Sequence, residues 1–303
     1  MTFSHEALLY DGPRDLAPRV MPFIEEGLDA GEPTMVALRV GAIEELCDRL
    51  GPRANDVWFV DMAQLGRNPG RIIPAWHDFL DEHGGGGRPV RGIGEPVWAG
   101  REGEELTECQ LHEALLNVAF ADADGFRLLC PYDTGALPDT VIREACAGHP
   151  RIAGDGESGL YRGDADLLGP FAAPLPTPDA PLEVLAYDRN SLSELRAVVA
   201  ARTSRSGLTT RHAEDLVFSV NELATNSVRH GGGNGVLRIW ANENALVCEI
   251  RDRGRLADPL VGRRRPTAFA TSGWGLYLAN QLCDLVQLRS DADGTVVRVH
   301  MQL

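Results

Sequence analysis

The chain has 303 residues, enough for two domains with a core each, and its 44% hydrophobic and 24% charged residues are typical of soluble globular proteins. No run of about 18 apolar residues predicts a membrane-spanning helix. The formal net charge of −15 is uneven, because residues 1–182 hold 14 arginines against 31 acidic residues while residues 183–303 hold 15 against 13. The acidic first half argues against direct binding of nucleic acid.

Lysine is absent, so all 29 basic residues are arginines. Nucleoside triphosphatases with a Walker A loop, eukaryotic-type protein kinases and Schiff-base enzymes each need a lysine, and these classes are therefore excluded. The six cysteines form no CxxC pair, which favours reduced thiols over disulfides or a zinc ribbon. The first residues, MTFSHEALLYDGP, lack the features of a signal peptide, and we expect a cytoplasmic protein that is not attached to a membrane.

In the first half, short apolar runs alternate with helical patterns. The predicted strands are 6–10, 34–39, 57–61 and 126–131, and the predicted helices are 15–30, 41–50, 70–83 and 104–121. Pro22 is expected near the first turn of its helix. This alternation predicts an α/β domain with a mostly parallel sheet. The four glycines at 84–87 are interpreted as a flexible loop, because no strand precedes them and no lysine follows.

A segment with five prolines, residues 169–182, has no periodic pattern and predicts a semi-rigid linker. The change in charge falls at the same place. We therefore expect one domain at 1–168 and a second at 183–303.

The second half has a different order of elements. The predicted strands are 183–187, 236–241, 245–251, 285–290 and 295–301, and the predicted helices are 191–202, 209–230 and 274–283, with an irregular basic segment at 253–272. Ser191 with Glu194 has the spacing of a capping box at a helix start, and an Asp-Gly pair predicts the last turn. This order predicts an α+β sandwich.

On a helical wheel, the helix at 209–230 separates an apolar stripe from Glu222, Asn226 and His230. Taken alone, this pattern favours an ordinary solvent-exposed face. Three later stretches favour a nucleotide site instead: EIRDRG at 249–254, TSGWGLYLANQLCD at 271–284 and DGTVVRV at 293–299. The second is a glycine-flanked turn that opens a helix, whose first amides favour an anion.

Together these stretches resemble the ATP-binding domain of the GHKL superfamily, and NELATNSVRHGG is most similar to the corresponding box of bacterial anti-sigma-factor serine kinases. The resemblance covers about 183–303 and implies a Bergerat-type α+β sandwich that binds ATP and Mg²⁺. It makes Glu222 the general base and Asn226 a ligand of the Mg²⁺ that bridges the phosphates. A carboxylate suits the first role and a neutral amide oxygen the second.

The same resemblance assigns the remaining nucleotide contacts. Asp252 accepts from the adenine amino group, and Gly254 allows close backbone approach. Gly273 and Gly275 form the turn that faces the phosphates. Leu276, the next residue, is also assigned to nucleotide binding, and Thr295 lies near adenine.

The sequence departs from the superfamily pattern after Asp252, where Asp-Arg-Gly-Arg-Leu lacks the second glycine of Asp-x-Gly-x-Gly. We expect this change to alter the segment that covers the phosphates. Arg263, Arg264 and Arg265 lie in that segment, and the sequence leaves open whether one contacts the γ-phosphate or all three are solvated.

Residues 5–168 resemble the MEDS sensory domain through HEALLY (5–10), GEPVW (94–98), HEALLNVAF (112–120) and LLCPYD (128–133). The resemblance implies a RecA-like α/β core without a P-loop that senses a signal, such as a small molecule. Three histidines and three cysteines of this half are interpreted as structural or core residues rather than a metal site: His5, His112, His149, Cys109, Cys130 and Cys146. His112-Glu113 echoes a histidine-kinase phosphoacceptor, but about 70 residues and the linker separate it from the second domain.

The leading hypothesis is a regulatory anti-sigma factor with an ATP-dependent serine/threonine kinase-type domain, controlled by the sensory domain in a partner-switching pathway. Its expected partners are a sigma factor or a STAS-domain antagonist, and the resemblance also implies a homodimer. An unorthodox sensor histidine kinase and a non-catalytic ATP-binding module are the alternatives.

Overall fold

The computed structural model of the protein describes residues 2–163, 165–178, 182–267 and 273–303. The chain divides into two compact units, Met1–Phe171 and Ala172–Leu303. Within the described ranges, none of the helices combines the length and the apolar character needed to cross a bilayer. The predicted linker at 169–182 includes positions 179–181, which lie outside the described residues, and it stays a prediction together with the domain limits.

The first unit is built on one seven-stranded sheet. Its strands are β1 (Ser4–Tyr10), β2 (Thr34–Leu38), β3 (Val57–Asp61), β4 (Val90–Gly94), β5 (Phe126–Asp133), β6 (Arg151–Ile152) and β7 (Gly156–Glu157). Its helices are α1 (Pro13–Asp29), α2 (Val40–Leu50), α3 (Met62–Leu65), α4 (Ile72–His83), α5 (Gly103–Ala119) and α6 (Asp139–Gly148). The strand order is β3-β2-β4-β5-β1-β6-β7, and every pair is parallel except β6–β7. The predicted α/β class is confirmed.

Strand β4 lies inside this sheet between β2 and β5, although the sequence did not predict it. Its residues, VRGIG, are all buried, and the two glycines weaken the strand pattern. They are needed there because the Trp76 side chain of α4 packs on the strand. A Cβ added at Gly92 would lie 2.8 Å from Trp76 Cζ3, and one added at Gly94 would lie 3.2 Å from Cζ2.

The position expected for Pro22 is wrong. Helix α1 begins at Pro13, where a missing N–H costs nothing, so Pro22 lies in the third turn instead of the first. The sequence also did not predict α6 or the short strands β6 and β7. The predicted glycine loop contains a short 3-10 turn at Gly85–Gly87.

The second unit is built on one antiparallel sheet and three helices. Its strands are β8 (Glu183–Asp188), β9 (Asn234–Ala241), β10 (Ala245–Asp252), β11 (Leu285–Asp291) and β12 (Gly294–Gln302), and its helices are α7 (Leu192–Thr203), α8 (Thr210–His230) and α9 (Trp274–Leu282). The strand order is β11-β12-β10-β9-β8. The predicted α+β sandwich is confirmed.

The core of this unit lies between the three helices and the sheet. Helix α8 contributes Leu216, Val220 and Leu223, which pack in one cluster with Ile250 of β10 and Val299 of β12. The apolar stripe of α8 therefore faces the sheet, as its helical periodicity predicts. Thr209 caps the helix, because its Oγ1 accepts from the His212 N–H at 3.2 Å.

The capping box predicted for α7 is wrong. Ser191 stands at the N-cap, but its side chain makes no capping hydrogen bond to the helix. Its Oγ instead accepts from the Asp188 N–H at 2.8 Å, while Asp188 Oδ1 accepts from the N–H groups of Asn190 and Ser191. The Ser191 hydroxyl is therefore engaged in the turn at Asp188 and is not available to cap α7.

Candidate functional site

A cavity of about 270 Å³ lies in the second unit between the C-terminal half of α8, the start of α9 and the ends of β10 and β12. Six of the eight site residues predicted from the sequence line it: Asn226, Asp252, Gly254, Gly273, Leu276 and Thr295. The sequence places these residues on four separate elements, and folding brings them to one cavity.

The other two predicted residues, Glu222 and Gly275, stand beside the cavity. Glu222 lies one turn before Asn226 on α8, half-buried, and its Oε1 accepts from Asn221 Nδ2 at 3.3 Å. A Cβ added at Gly275 would lie 2.6 Å from Asn226 Nδ2 and 3.3 Å from Glu222 Cβ. The first turn of α9 thus packs directly on the polar face of α8, and only glycine allows this approach.

Asp252 ends β10 in a turn that holds its carboxylate at the cavity. Asp252 Oδ1 accepts from the Gly254 N–H at 2.7 Å, and Thr295 Oγ1 donates to the Gly254 carbonyl at 2.8 Å. A Cβ added at Gly254 would lie 2.8 Å from the Gly231 Cα, and one added at Gly231 would overlap the Asp252 carboxyl group. The two glycines therefore let the end of α8 and the turn after β10 meet around Asp252.

Helix α9 opens onto the same cavity. Gly273 is its N-cap, with a φ of 93° that favours glycine, and it lines the cavity. The free N–H groups of a first helical turn carry the positive end of the helix dipole, so this edge of the cavity suits an anion. Positions 271 and 272 of the predicted phosphate turn lie outside the described residues.

Two family models match the chain. Residues 4–150 match the model described as MEDS, the methanogen/methylotroph, DcmR sensory domain, and residues 185–301 match the histidine kinase-like ATPase domain. The chain carries a MEDS domain followed by a histidine kinase-like ATPase domain. The cavity lies within the matched range of the ATPase domain.

A solved structure of the RsbU and RsbW domains of a Mycobacterium tuberculosis protein is similar to 41% of this chain, with 21% identity and a TM-score of 0.32. The match covers 32% of that chain, so the present chain spans about a third of its length. Comparison with curated proteins found no match.

Leu256 stands where the superfamily pattern of the ATPase domain has its second glycine. Its N–H donates to Ser290 Oγ at 2.9 Å, which ties the segment after Asp252 to β11, and its side chain lines the cavity. Ser290 Oγ also lies 2.9 Å from Thr295 Oγ1. The departure from the pattern therefore has a structural use, since Leu256 adds an apolar wall.

The segment that covers the phosphates in the superfamily is described only up to residue 267. Gly262 has a φ of 75°, and a Cβ there would lie 2.5 Å from Leu276 Cγ, while Asn280 Nδ2 donates to its carbonyl at 3.0 Å. These contacts hold the segment on α9. Arg263 is buried and the next two arginines are exposed; among the described lining residues, the cavity includes none of the three.

The sequence assigned no role to His230, Gly231 or Arg255, yet all three line the cavity. For the first two, the change from helix to glycines at the end of α8 was the available signal. Arg255 could have been noticed as the basic residue directly after Gly254.

In the MEDS domain, the histidines and cysteines separate into two groups. His112 of α5 is 1% exposed and Cys109 is buried, while Cys146 is partly exposed. His5, Cys130 and His149 instead converge around Glu113, a residue that the sequence analysis left out of this set.

Proposed function

We propose that the ATPase domain binds ATP with Mg²⁺ in the cavity and transfers the γ-phosphoryl group to a serine or threonine of a partner protein. The protein would then act as an anti-sigma-factor type of regulator in a partner-switching pathway, with the MEDS domain supplying the signal. The observation that carries this proposal is the convergence of Asn226, Asp252 and the N-terminus of α9 on one cavity.

The Asp252 end of the cavity suits adenine. The 6-amino group of adenine can donate to the Asp252 carboxylate, whereas guanine presents a carbonyl oxygen there and would face an acceptor with an acceptor. Ile250, Leu256 and Val297 provide apolar walls for the base. Thr295 supports this end indirectly, because it holds the Gly254 carbonyl.

The α9 end suits the phosphates. The helix N-terminus favours their negative charge, and Asn226 Oδ1 is a ligand of the kind that Mg²⁺ accepts beside phosphate oxygens. The Asn226 side chain makes no hydrogen bond to any other described residue, which leaves it available. Bound Mg²⁺ would supply charge neutralisation at the phosphates.

Glu222 is placed to act on the acceptor hydroxyl. Its Oε2 makes no hydrogen bond within the described part of the chain, and the residue lies one turn from Asn226 on the same helix. In the transfer, the hydroxyl oxygen of the partner bonds to the γ-phosphorus, the bond to the ADP oxygen breaks, and the hydroxyl proton passes to Glu222. ADP and a phosphoserine or phosphothreonine result.

The test incubates the full chain with γ-labelled ATP and Mg²⁺, alone and with candidate STAS-domain proteins. We expect acid-stable label on the partner, reduced about 100-fold or more in Glu222→Gln, with ATP affinity retained. Glu243→Gln changes an exposed carboxylate in the β9–β10 turn and should behave as wild type. Absence of ATP–Mg²⁺ binding would contradict the whole proposal.

Two other outcomes separate the alternatives. ATP binding that changes the affinity for a sigma factor or a STAS-domain protein, without transfer, would identify a non-catalytic module; Leu256 in place of the second glycine is the feature that favours it. Acid-labile autophosphorylation lost in His112→Gln would identify a histidine kinase. The burial of His112 argues against that outcome, because a phosphoryl group could not reach it without local opening.

A further inference from the structure

Four buried side chains from separate elements of the MEDS domain meet at one point. They are His5 of β1, Glu113 of α5, Cys130 of β5 and His149 directly after α6, and one ligand atom of each lies within 4.8 Å of every other. Glu113 Oε2 lies 3.3 Å from His5 Nε2 and 3.1 Å from His149 Nε2, and Cys130 Sγ lies 3.4 Å from His5 Nε2. The proposed ATP chemistry uses none of them.

The outer nitrogens of both imidazoles are fixed by carbonyl oxygens. His149 Nδ1 lies 2.7 Å from the Ala145 carbonyl, which can only accept. His5 Nδ1 lies 3.0 Å from Asn117 Oδ1, and this amide is oriented because Asn117 Nδ2 donates to the Gly148 carbonyl at 2.9 Å. Both Nδ1 atoms therefore carry the proton, and in the neutral rings both Nε2 lone pairs point into the cluster.

The interior of the cluster consequently holds acceptors facing acceptors. Two Nε2 lone pairs meet one carboxylate oxygen, and of the four side chains the Cys130 thiol alone can donate into the cluster, since the two Nδ1 protons point outward. Within the described residues, Glu113 Oε1 and His149 Nε2 have no hydrogen-bond partner. Buried polar atoms normally have a hydrogen-bond partner. A cation among these acceptors would supply the interaction that they lack.

We propose that His5, Glu113, Cys130 and His149 form a tetrahedral site for a divalent transition-metal ion with the chemistry of Zn²⁺. Bonds of about 2.0–2.3 Å in a tetrahedron place the ligand atoms about 3.3–3.8 Å apart. The observed separations of 3.1, 3.3 and 3.4 Å are close to this range. Two nitrogens, one thiolate and one carboxylate suit a borderline-soft ion, and the two negative charges neutralise a dication in the buried site.

The hydrogen bonds to Asn117 and Ala145 are the outer contacts that metal-binding histidines usually make. Four protein ligands also leave no open position, as in structural sites. The ion would join β1 and β5 in the sheet to α5 and to the chain after α6, so residues 5 and 149 would be linked through it. This inference is independent of the proposed ATP chemistry.

The test titrates Co²⁺, a spectroscopic substitute for Zn²⁺, into the full-length protein after treatment with a chelator. We expect one Co²⁺ per chain, the visible absorption of a tetrahedral site and a thiolate-to-cobalt charge-transfer band. Zn²⁺ should displace the cobalt and raise the thermal midpoint of the MEDS domain. Cys130→Ala should lose the charge-transfer band, and the matched variant Cys109→Ala, which removes another buried thiol, should keep it.

Two measurements keep the test decisive if Cys130→Ala fails to fold. X-ray absorption of the wild-type zinc protein should show one sulfur and three nitrogen or oxygen ligands, with imidazole scattering. His149→Gln should weaken Co²⁺ binding at least 10-fold. A wild-type protein that binds neither ion stoichiometrically would overturn the proposal and leave a metal-free His-Glu-His network. A folded Cys130→Ala variant with an unchanged cobalt spectrum would overturn it equally.

Discussion

At the scale of single residues, Asp252 combines a structural contact with a free acceptor. Its Oδ1 accepts from the Gly254 N–H, while Oδ2 makes no hydrogen bond to any other residue in the described ranges. The close approach of Gly231 on the other side fixes the position of the carboxyl group. A carboxylate held in this way is preorganised for a ligand that brings its own donor.

Asp252→Asn tests that assignment. Asn can still accept from the Gly254 N–H through its oxygen, but its amino group would face the adenine amino group. We expect ATP to bind about 10- to 100-fold more weakly, the effect of losing a hydrogen bond to a charged group of about 1.5–3 kcal/mol, and the preference for ATP over GTP to shrink.

Calorimetric titration with both nucleotides measures this change. Asp291→Asn is the matched control, because Asp291 Oδ1 also accepts from a backbone N–H two residues later, at 2.8 Å, in an exposed turn. Equal losses in the two variants, or unchanged ATP affinity in Asp252→Asn, would remove Asp252 from the nucleotide site.

At the scale of elements, the contact between α8 and α9 sets the shape of the site. Gly275 is the second residue of α9 and lies against Asn226, so Gly275→Ala should push the two helices apart. We expect a loss of about 1–3 kcal/mol in the free energy of unfolding of the ATPase domain, as for overpacked cores. ATP–Mg²⁺ affinity should fall as well, because Asn226 and the α9 amides would separate.

Urea unfolding and nucleotide titration of the same sample measure both effects. Gly41→Ala is the matched control, since Gly41 is the second residue of α2 and a Cβ there meets nothing within 4 Å. That variant should keep or gain stability because alanine favours the helix. A Gly275→Ala protein with wild-type stability would show that the helices accommodate the methyl group.

The elements that could be predicted from the sequence are those whose pattern is local. The long helix α8 has a regular apolar stripe, and its observed span Thr210–His230 agrees with the prediction. Strand β4 was not predictable, because its glycines are explained by the side chains of Trp76 in α4 and Leu128 in β5, which reach the strand only in the folded chain. The predicted capping box of α7 was wrong because the turn before the helix, at Asp188, uses the Ser191 hydroxyl.

In the candidate site, too, local motifs were predictable and contacts between distant segments were not. Residues within recognisable motifs, such as Asn226 and Thr295, could be placed beside one another by family resemblance. Leu256 was noticed only as a missing glycine, and its bond to Ser290 depends on how β11 returns to the site. The buried cluster around Glu113 combines positions from 5 to 149, and no spacing in the sequence relates them.

At the scale of the whole molecule, buried ionisable groups of the ATPase domain limit its stability toward acid. Burial opposes ionisation of Glu249, but hydrogen bonds from Arg251 and Arg298 outweigh it and lower its pKa. A lowered carboxyl pKa gives stability above the unfolded value that is lost as the pH falls through the folded one. The lowered pKa of His300 in β12 also makes the folded domain less stable as the pH falls below neutrality.

His300 is buried, its Nε2 lies 3.0 Å from Gln287 Oε1, and burial together with Arg298 lowers its pKa from 6.5 to about 4. The folded protein therefore binds this proton less readily than the unfolded chain. The contribution of neutral His300 to the free energy of unfolding is fully present above pH 6.5. About 3 kcal/mol of it is lost as the pH falls toward 4. His300→Gln keeps a donor for Gln287 and removes the titration.

We expect the thermal midpoint of the ATPase domain to fall less steeply between pH 7 and about pH 4 in His300→Gln than in the wild type, with the two curves parallel above pH 7. Calorimetry across this range measures the difference, and nuclear magnetic resonance of the His300 ring measures its pKa directly. Curves that stay parallel down to pH 4 would show that His300 is protonated in the folded protein without cost. In that case the acid limit would depend on carboxylates such as Glu249, whose pKa is lowered from 4.5, and Glu249→Gln would flatten the curve only below about pH 4.5.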